Sequence, residues 1–124
     1  MIQDLRDKTI TGICFPAEED GSRCYRLIMI QTTAGDLLGY LKQPISYITR
    51  MTGVIIPLNI YPCKILETSY SELGPMGPDP EDPGYGYTLN IITDRGMIKI
   101  RLESSSSDIN EAMFIWPSDK NYHP

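Results

Sequence analysis

A regular alternation of apolar and charged side chains between residues 97 and 103 constrains the fold of this chain more than any other feature. Three apolar residues alternate there with three charged ones: Ile98, Ile100 and Leu102 with Lys99, Arg101 and Glu103. Successive side chains of a strand lie on opposite faces, so this period of two predicts an antiparallel strand with one face on a core and the other in water. The strand-like segment 87–93 and the turn around Asp94-Arg95-Gly96 precede it, and the whole of 87–103 is predicted as a β-hairpin.

Further strands are predicted where β-branched and apolar residues lie between short clusters of Gly, Pro, Asp and Ser. Residues 8–15, 24–32 and 37–42 are three such segments, and a turn at 33–36 joins the last two as another hairpin. In the first segment, strict alternation places one set of residues on each face: Ile10, Gly12 and Cys14 against Thr11, Ile13 and Phe15.

The middle of the chain leaves an alternative open. Residues 43–52 suit either a helical turn or an extended segment, and the helical turn is narrowly favoured. Gly53 is expected to break the chain before the extended stretch 54–70, in which Pro57 and Pro62 exclude an uninterrupted central strand.

Residues 108–116 follow a run of four serines and also have two interpretations. Asp108 and Glu111 have the spacing of a capping box, which can begin a short helix. The β-branched and aromatic residues of 112–116 slightly favour a last strand. Residues 117–124 are expected to form a loosely held tail.

The predicted fold class is mainly β: an antiparallel β-sandwich or half-open barrel with one or two short helical turns, with α+β as the alternative. The 124 residues are the usual length of one domain, and a chain of this length buries roughly two-thirds of its unfolded surface. Residues 74–86 contain four prolines and four glycines and are expected to form an acidic loop that joins neither helix nor ladder. A single β-rich domain over residues 1–124 is therefore predicted.

The charge of the chain restricts its partners. Sixteen acidic against eleven basic residues give a formal charge of -5, which repels phosphate backbones and anionic membranes, so neither nucleic acid nor membrane is expected as a partner. Another protein with a basic surface would be attracted, although the charge can equally serve only to keep the domain soluble. Residues 1–8 lack the apolar segment of a secretory signal, and no run of about eighteen apolar residues occurs, so a cytoplasmic location is expected.

The sequence has no recognised catalytic or metal-binding pattern, and no cofactor is expected. Cys14, Cys24 and Cys63 lack the Cys-x-x-Cys or His-x-x-x-His spacings of a zinc or redox site. The single histidine, His123, is interpreted as a solvated residue, so the cysteines have no histidine to activate them. The acidic runs depart from the calcium-loop pattern, and prolines limit the carbonyl groups that a cation would need. A non-enzymatic role is therefore predicted.

The predicted partner-binding residues are carboxylates in two loops and tyrosines beside the second loop. They are Glu18, Glu19, Asp20, Tyr70, Asp79, Glu81, Asp82 and Tyr85. Tyrosine is a rigid amphipathic anchor at many interfaces, and Tyr87 flanks the same loop. The alternatives are that the carboxylates belong to solvated loops without a partner and that the tyrosines only cover the rim of the sheet.

The two predicted hairpins share a sequence pattern. It is Tyr-x-Leu-x-Met from residue 25, ahead of Gly35, and Tyr-x-Leu-x-Ile from residue 87, ahead of Gly96. The tyrosine lies ten residues before the glycine in the first hairpin and nine in the second. A duplicated hairpin unit would explain the pattern, but such alternation is common in strands, and chance similarity is the favoured explanation.

Three segments precede the serine run in a characteristic order: Ile-Thr-Gly-Ile at 10–13, Leu-Ile-Met-Ile-Gln-Thr-Thr-Ala-Gly at 27–35 and Ile-Ile-Thr-Asp-Arg-Gly-Met-Ile-Lys-Ile at 91–100. This arrangement resembles small cytosolic bacterial immunity proteins, which neutralise the toxins of polymorphic or contact-dependent systems. The match covers about half of the chain, and its motif is a strand, a turn and a strand. The resemblance implies inhibition by stoichiometric binding, no cofactor, and an acidic face set against a basic toxin. It carries over no inhibitory residue.

The expected function is that of an acidic protein-binding module, in its specific form an immunity protein that neutralises a toxin by direct binding. One alternative is a structural, self-associating subunit of a phage or bacterial assembly, which an exposed edge strand or apolar patch would favour. Another is a small enzyme or ligand carrier, which a deep apolar pocket between sheets would favour.

Overall fold

The computed structural model describes residues 6–16, 26–41, 49–78, 81 and 84–116. Within these ranges the chain forms eight strands: β1 (Thr9–Cys14), β2 (Leu27–Thr32), β3 (Gly35–Leu41), β4 (Thr49–Ile55), β5 (Cys63–Pro75), β6 (Tyr85–Thr93), β7 (Gly96–Ser104) and β8 (Phe114–Ile115). A 3-10 helix spans Ile109–Glu111. No helix in the described ranges is long and apolar enough to cross a membrane.

The eight strands form one antiparallel sheet in the order β4-β7-β6-β5-β1-β2-β3-β8. The described strands do not close into a barrel. The predicted mainly β, antiparallel fold class is therefore confirmed.

The core lies on one face of the sheet, and strands from both ends contribute to it. Its largest fully buried side chains are Ile10, Ile28, Ile30, Ile65, Tyr87, Leu89, Ile91, Ile98, Ile100, Leu102 and Trp116. Burial of each aliphatic side chain in this set contributes about 1.5–3 kcal/mol. The amide of Phe114 in the edge strand β8 donates a 3.1 Å hydrogen bond to the Tyr70 hydroxyl of the central strand β5. The sheet therefore curls around the core far enough for these two strands to meet.

Both predicted hairpins are present, and the same turn closes each of them. Thr32 lies opposite Gly35 in the β2–β3 hairpin, and Thr93 lies opposite Gly96 in the β6–β7 hairpin. In each turn the threonine hydroxyl donates a hydrogen bond to the carbonyl of that glycine. It also accepts a hydrogen bond from the backbone amide two residues further on, that of Ala34 or Arg95. Gly35 and Gly96 have φ angles of 118° and 143°, which only glycine adopts at low cost.

The strict alternation predicted for residues 8–15 is wrong beyond Ile10. A β-bulge between Ile10 and Gly12 shifts the register of β1 against β2. An extra residue in a strand reverses the faces of all residues that follow it. Ile10 and Ile13 consequently both pack against the core, while Cys14 is exposed.

The helical turn favoured for 43–52 is wrong for its described part, because Thr49–Ile55 is strand β4. Residues 42–48 lie outside the described ranges. Gly53 does not break the chain: it lies inside β4, next to a bulge and opposite Arg101 of β7. The pairing with a strand about fifty residues later in the sequence outweighs the local pattern. As predicted, Pro57 and Pro62 lie between strands β4 and β5.

The acidic loop is narrower than residues 74–86. Gly74 lies opposite Gly86 and Pro75 opposite Tyr85, so the prediction that the segment joins no ladder is wrong at both ends. Pro75 is tolerated because it is the last residue of β5 and need not donate a ladder hydrogen bond. Residues 79–80 and 82–83 lie outside the described ranges.

Residues 108–116 contain both of the structures considered for them. Asp108 is the N-cap of the 3-10 helix, and its carboxylate accepts a 3.0 Å hydrogen bond from the Asn110 amide. The predicted last strand is β8. The tail and His123 lie outside the described residues.

The strand order divides the sheet into two similar halves. The first half is β1-β2-β3-β8, and the second is β5-β6-β7-β4. Each half contains a first strand, a hairpin and a fourth strand. The fourth strands are exchanged: β4 follows the β2–β3 hairpin in the sequence but pairs with β7, and β8 follows the β6–β7 hairpin but pairs with β3. The halves meet where Thr9 of β1 lies opposite Lys64 of β5. The carbonyl of Thr9 accepts from the amide of Thr33 (3.1 Å), and the carbonyl of Lys64 accepts from the amide of Asp94 (3.0 Å). An approximate two-fold axis between Thr9 and Lys64 thus relates the halves.

The same axis matches individual core residues. Ile10 and Ile65 are both buried, both lie opposite the turn threonine of their half, and both are followed by a bulge. Aligning the hairpins on their turn threonines matches Ile28 with Leu89. This register differs by one residue from the Tyr-x-Leu alignment, so the similarity noted in the sequence is not the structural one.

Candidate functional site

The structure describes three of the eight predicted partner-binding residues. Tyr70 is half-buried and its hydroxyl accepts from the Phe114 amide, so it holds β8 near the centre of the sheet. Tyr85 is half-buried at the start of β6, and Glu81 is exposed. The other five lie outside the described ranges: Glu18, Glu19, Asp20, Asp79 and Asp82.

Tyr87, the third tyrosine beside the acidic loop, is a core residue and not an exposed anchor. It is 2% exposed, and its hydroxyl donates a 2.8 Å hydrogen bond to the carbonyl of Ser106. The serine run is therefore held against the sheet. The Ser104 hydroxyl accepts from the Ser106 amide (3.1 Å), and the Ser106 hydroxyl accepts from the Asp108 amide (3.1 Å).

Three carboxylates from two distant parts of the chain lie near the Tyr87 hydroxyl. Glu72 is opposite Tyr87 in the β5–β6 pairing, and Asp108 and Glu111 belong to the capped 3-10 helix. Burial raises the pKa of Tyr87, and the negative charges of these three residues raise it further. We call Glu72, Asp108 and Glu111 the carboxylate cluster.

Sequence reasoning missed the carboxylate cluster as a unit. The capping-box spacing of Asp108 and Glu111 is visible in the sequence, but nothing there connects them with Glu72. The connection is made by the hydrogen bonds from Tyr87 to Ser106 and from Phe114 to Tyr70, which fix the segment after β7 against β5 and β6.

The side chains of the carboxylate cluster are accessible to water and are not grouped as metal ligands among the described residues. Within the described residues, no group of three or more His, Cys, Asp or Glu side chains is arranged to hold a metal ion. Glu72 and Asp108 are exposed, and Glu111 is half-buried. Solvated carboxylates of this kind offer negative charge to an approaching molecule.

The described cysteines are two free thiols in different environments. Cys14 is exposed, and Cys63 is 2% exposed at the start of β5. Burial raises the pKa of the Cys63 thiol, which outweighs the opposing hydrogen bond with Thr93. A buried thiol that keeps its proton is a poor nucleophile.

The net charge is distributed unevenly along the chain. The described residues contain eight Lys and Arg against nine Asp and Glu, whereas the remaining residues contain three against seven. The sheet itself is therefore nearly neutral, and the carboxylate cluster is a local feature of one end of it.

Comparison with protein-family models, with curated proteins and with solved structures finds no match.

Proposed function

We propose that this domain is a non-enzymatic protein-binding module whose carboxylate cluster meets a basic surface on its partner. The observation that carries the proposal is the convergence of Glu72, Asp108 and Glu111 beside Tyr85, at the end of the sheet where the acidic loop begins. Carboxylates around a half-buried tyrosine combine an amphipathic anchor with a charged rim, which is the composition of many protein interfaces.

The β5–β6 hairpin adds apolar surface at the same end. Leu73 and Met76 are 44% and 46% exposed, and both cover Gly86, on the face of the hairpin opposite Tyr87. A partner that contacts both faces of the hairpin would bury these side chains, and each would then contribute hydrophobic free energy. Charge then sets the rate and specificity of binding, while the apolar contacts supply affinity.

An immunity protein that binds a basic toxin is the specific form of this proposal. Its support is the negative charge of the cluster together with the resemblance given above. We propose a cytoplasmic site of action on the same ground, since a protein that protects its own cell must meet the toxin there.

The test is co-purification with the products of neighbouring genes, followed by calorimetry with the partner that is captured. Replacing Glu72→Gln and Glu111→Gln together is expected to weaken binding about tenfold at low salt, mainly through slower association. The control is Glu67→Gln with Asp36→Asn, which removes two exposed carboxylates away from the cluster. Equal losses for the two double variants, or no protein partner at micromolar concentration, would contradict the proposal.

A further inference from the structure

A basic pocket lies on the face of the sheet that points away from the core. It has a volume of about 230 Å³ and is lined by Thr52, Gly53, Val54, Ile55, Thr88, Lys99 and Arg101. Lys99 and Arg101 are both exposed and lie two residues apart on the same face of β7. Thr52 and Thr88 add hydroxyl groups, so the pocket offers two cations and two neutral hydrogen-bonding groups.

The cations of this pocket are not paired with carboxylates of the described residues. In the described part of the chain, neither Lys99 nor Arg101 forms an ion pair, whereas Lys64 and Asp7 lie 3.9 Å apart. Glu103, the next acidic residue on the same face of β7, lies beside Gly84, where its carboxylate is 3.3 Å from the position a Cβ would take. An incoming anion would therefore gain attraction from Lys99 and Arg101 without displacing an existing ion pair.

Strand β4, which forms one wall of the pocket, is an edge strand. It is the first strand in the sheet order, and no described strand pairs along its other side. Alternate backbone N–H and C=O groups of an edge strand point outward and form a template for another extended chain. Ile55 is 62% exposed at the end of β4, Leu58 is 91% exposed just beyond it, and Met97 of β7 is 39% exposed.

Gly53 connects this edge with the pocket. A Cβ built on Gly53 would have one neighbour, the Cβ of Arg101 at 3.8 Å. The row of side chains on the outer face of β4 therefore has a gap beside Arg101. A side chain from a chain added to the edge can pass over Gly53 and reach the cations.

We propose that β4 binds an extended acidic peptide segment as an added strand, with an Asp or Glu side chain of the peptide crossing Gly53 to lie between Lys99 and Arg101. The pocket is smaller than the roughly 300–1,000 Å³ of typical small-molecule sites, which suits one side chain better than a whole metabolite. Apolar residues of the same peptide cover Ile55 and Leu58.

A second copy of this chain is a poorer occupant than an acidic peptide. Antiparallel pairing of two β4 edges about a two-fold axis places the basic pockets of both copies on the same face of one continuous sheet. Like charges on adjoining faces are destabilising. The inference goes beyond the proposed function, because it concerns another surface and a partner of opposite charge.

The test follows amide NMR shifts of the full chain during titration with a capped heptapeptide of alternating Glu and Val. Shifts are expected in Gly53, Ile55, Lys99 and Arg101, with millimolar affinity that weakens as salt is added. The same peptide with Lys in place of Glu, the Glu peptide with a central proline, and N-acetylglutamate amide are the comparison probes. None of them is expected to reproduce the shifts at equal concentration.

Variants separate the two parts of the proposal. Lys99→Gln and Arg101→Gln together should weaken peptide binding about tenfold or more, whereas Arg95→Gln, a cation in the turn of the same hairpin, should not. Gly53→Thr should also weaken binding, because it closes the gap with a residue that suits strands. The Glu72→Gln and Glu111→Gln variant should bind the peptide normally, so this test is independent of the carboxylate cluster.

Several results would overturn the proposal. Equal shifts with N-acetylglutamate amide would show that the pocket binds small anions and not a peptide strand. Equal shifts with the Lys peptide would show that charge does not determine binding. Normal binding by the Gly53→Thr variant would show that no peptide side chain crosses Gly53. Light scattering that shows a dimer abolished by Gly53→Thr would assign the edge to a second copy instead.

Discussion

The two halves of the sheet share a backbone plan and an inner face, but their outer faces differ. Five pairs of matched inner positions are buried and apolar: Ile10 and Ile65, Ile28 and Leu89, Ile30 and Ile91, Leu41 and Leu102, and Met51 and Phe114. Four matched outer positions are apolar or aromatic in the first half and polar in the second: Leu27 and Thr88, Met29 and Asn90, Leu38 and Lys99, and Tyr40 and Arg101. The two outer positions next to the turns show the reverse, Gln31 with Ile92 and Asp36 with Met97.

The difference separates what the fold requires from what it leaves free. Both inner faces pack into one core, so most positions there are apolar and their volumes must suit the packing. The outer faces make no contribution to that core and can take different chemistry without loss of the fold. The basic pocket is the outer face of the second half, and its counterpart in the first half is an apolar surface around Leu38 and Tyr40.

The largest effects should come from truncating matched core residues. Ile28→Ala and Leu89→Ala are each expected to lower the free energy of unfolding by about 2–5 kcal/mol, since both side chains are fully buried. Urea denaturation measures the loss, and Leu38→Ala on the outer face is the control, with a smaller loss expected. A loss at one of the two matched positions no larger than that of the control would break the equivalence of the halves.

An intermediate effect should come from a position where the halves differ in their inner packing. Gly39 matches Ile100, but a Cβ on Gly39 would lie 2.9 Å from the ring of Trp116. Gly39→Ala is therefore expected to cost about 1–3 kcal/mol and to change the fluorescence of the single tryptophan. Gly53→Ala is the matched control, because its Cβ meets nothing closer than 3.8 Å. Equal stability of the two variants would show that Trp116 does not need the space above Gly39.

The smallest effect is a difference between the halves in their response to alkaline pH. Burial raises the pKa of the Tyr87 phenol and of the Cys63 thiol, both in the second half, above their ordinary values of 10.0 and 9.0. The matched positions of the first half are Arg26 and Lys8, so that half has no buried phenol or thiol there. The folded state thus holds these protons to a higher pH than the unfolded state. The free energy of unfolding should be unaffected at pH 7 and fall as the pH rises above about 9.

Tyr87→Phe tests this pH dependence. The variant loses the hydrogen bond to Ser106, which costs about 1 kcal/mol at pH 7, but its stability should fall less than that of the parent between about pH 8 and pH 11. Urea midpoints across this range measure the slopes, with Tyr40→Phe in the first half as control. Parallel slopes for Tyr87→Phe and the parent chain would exclude Tyr87 as a source of the alkaline loss.

The predictions that succeeded rest on neighbours in the sequence. The alternation of Ile98, Ile100 and Leu102 with charged residues predicts β7 because both the pattern and the hairpin partner lie within a few residues. The Asp108 cap is local for the same reason. The predictions that were wrong involve distant partners: residues 49–52 are a strand because β7 supplies their ladder, and β1 changes face because β2 accommodates a bulge.

The candidate site follows the same division. Glu81 was chosen from the sequence as a carboxylate of the acidic loop and Tyr85 as a tyrosine beside it; Tyr85 begins β6, and Glu81 is exposed. Glu72 and Glu111 were not chosen, since they are far apart in sequence and meet only when the segment after β7 folds back onto β5 and β6.

The order of apolar, polar and turn residues was enough to determine that this chain is mainly β, and where its two hairpins turn. The exchange of fourth strands between the halves, the carboxylate cluster and the gap over Gly53 were decided only by the tertiary structure. The physical reason is that hairpin formation depends on side-chain period and turn chemistry within about twenty residues, whereas strand order and bulges depend on which distant surfaces bury the most apolar area together.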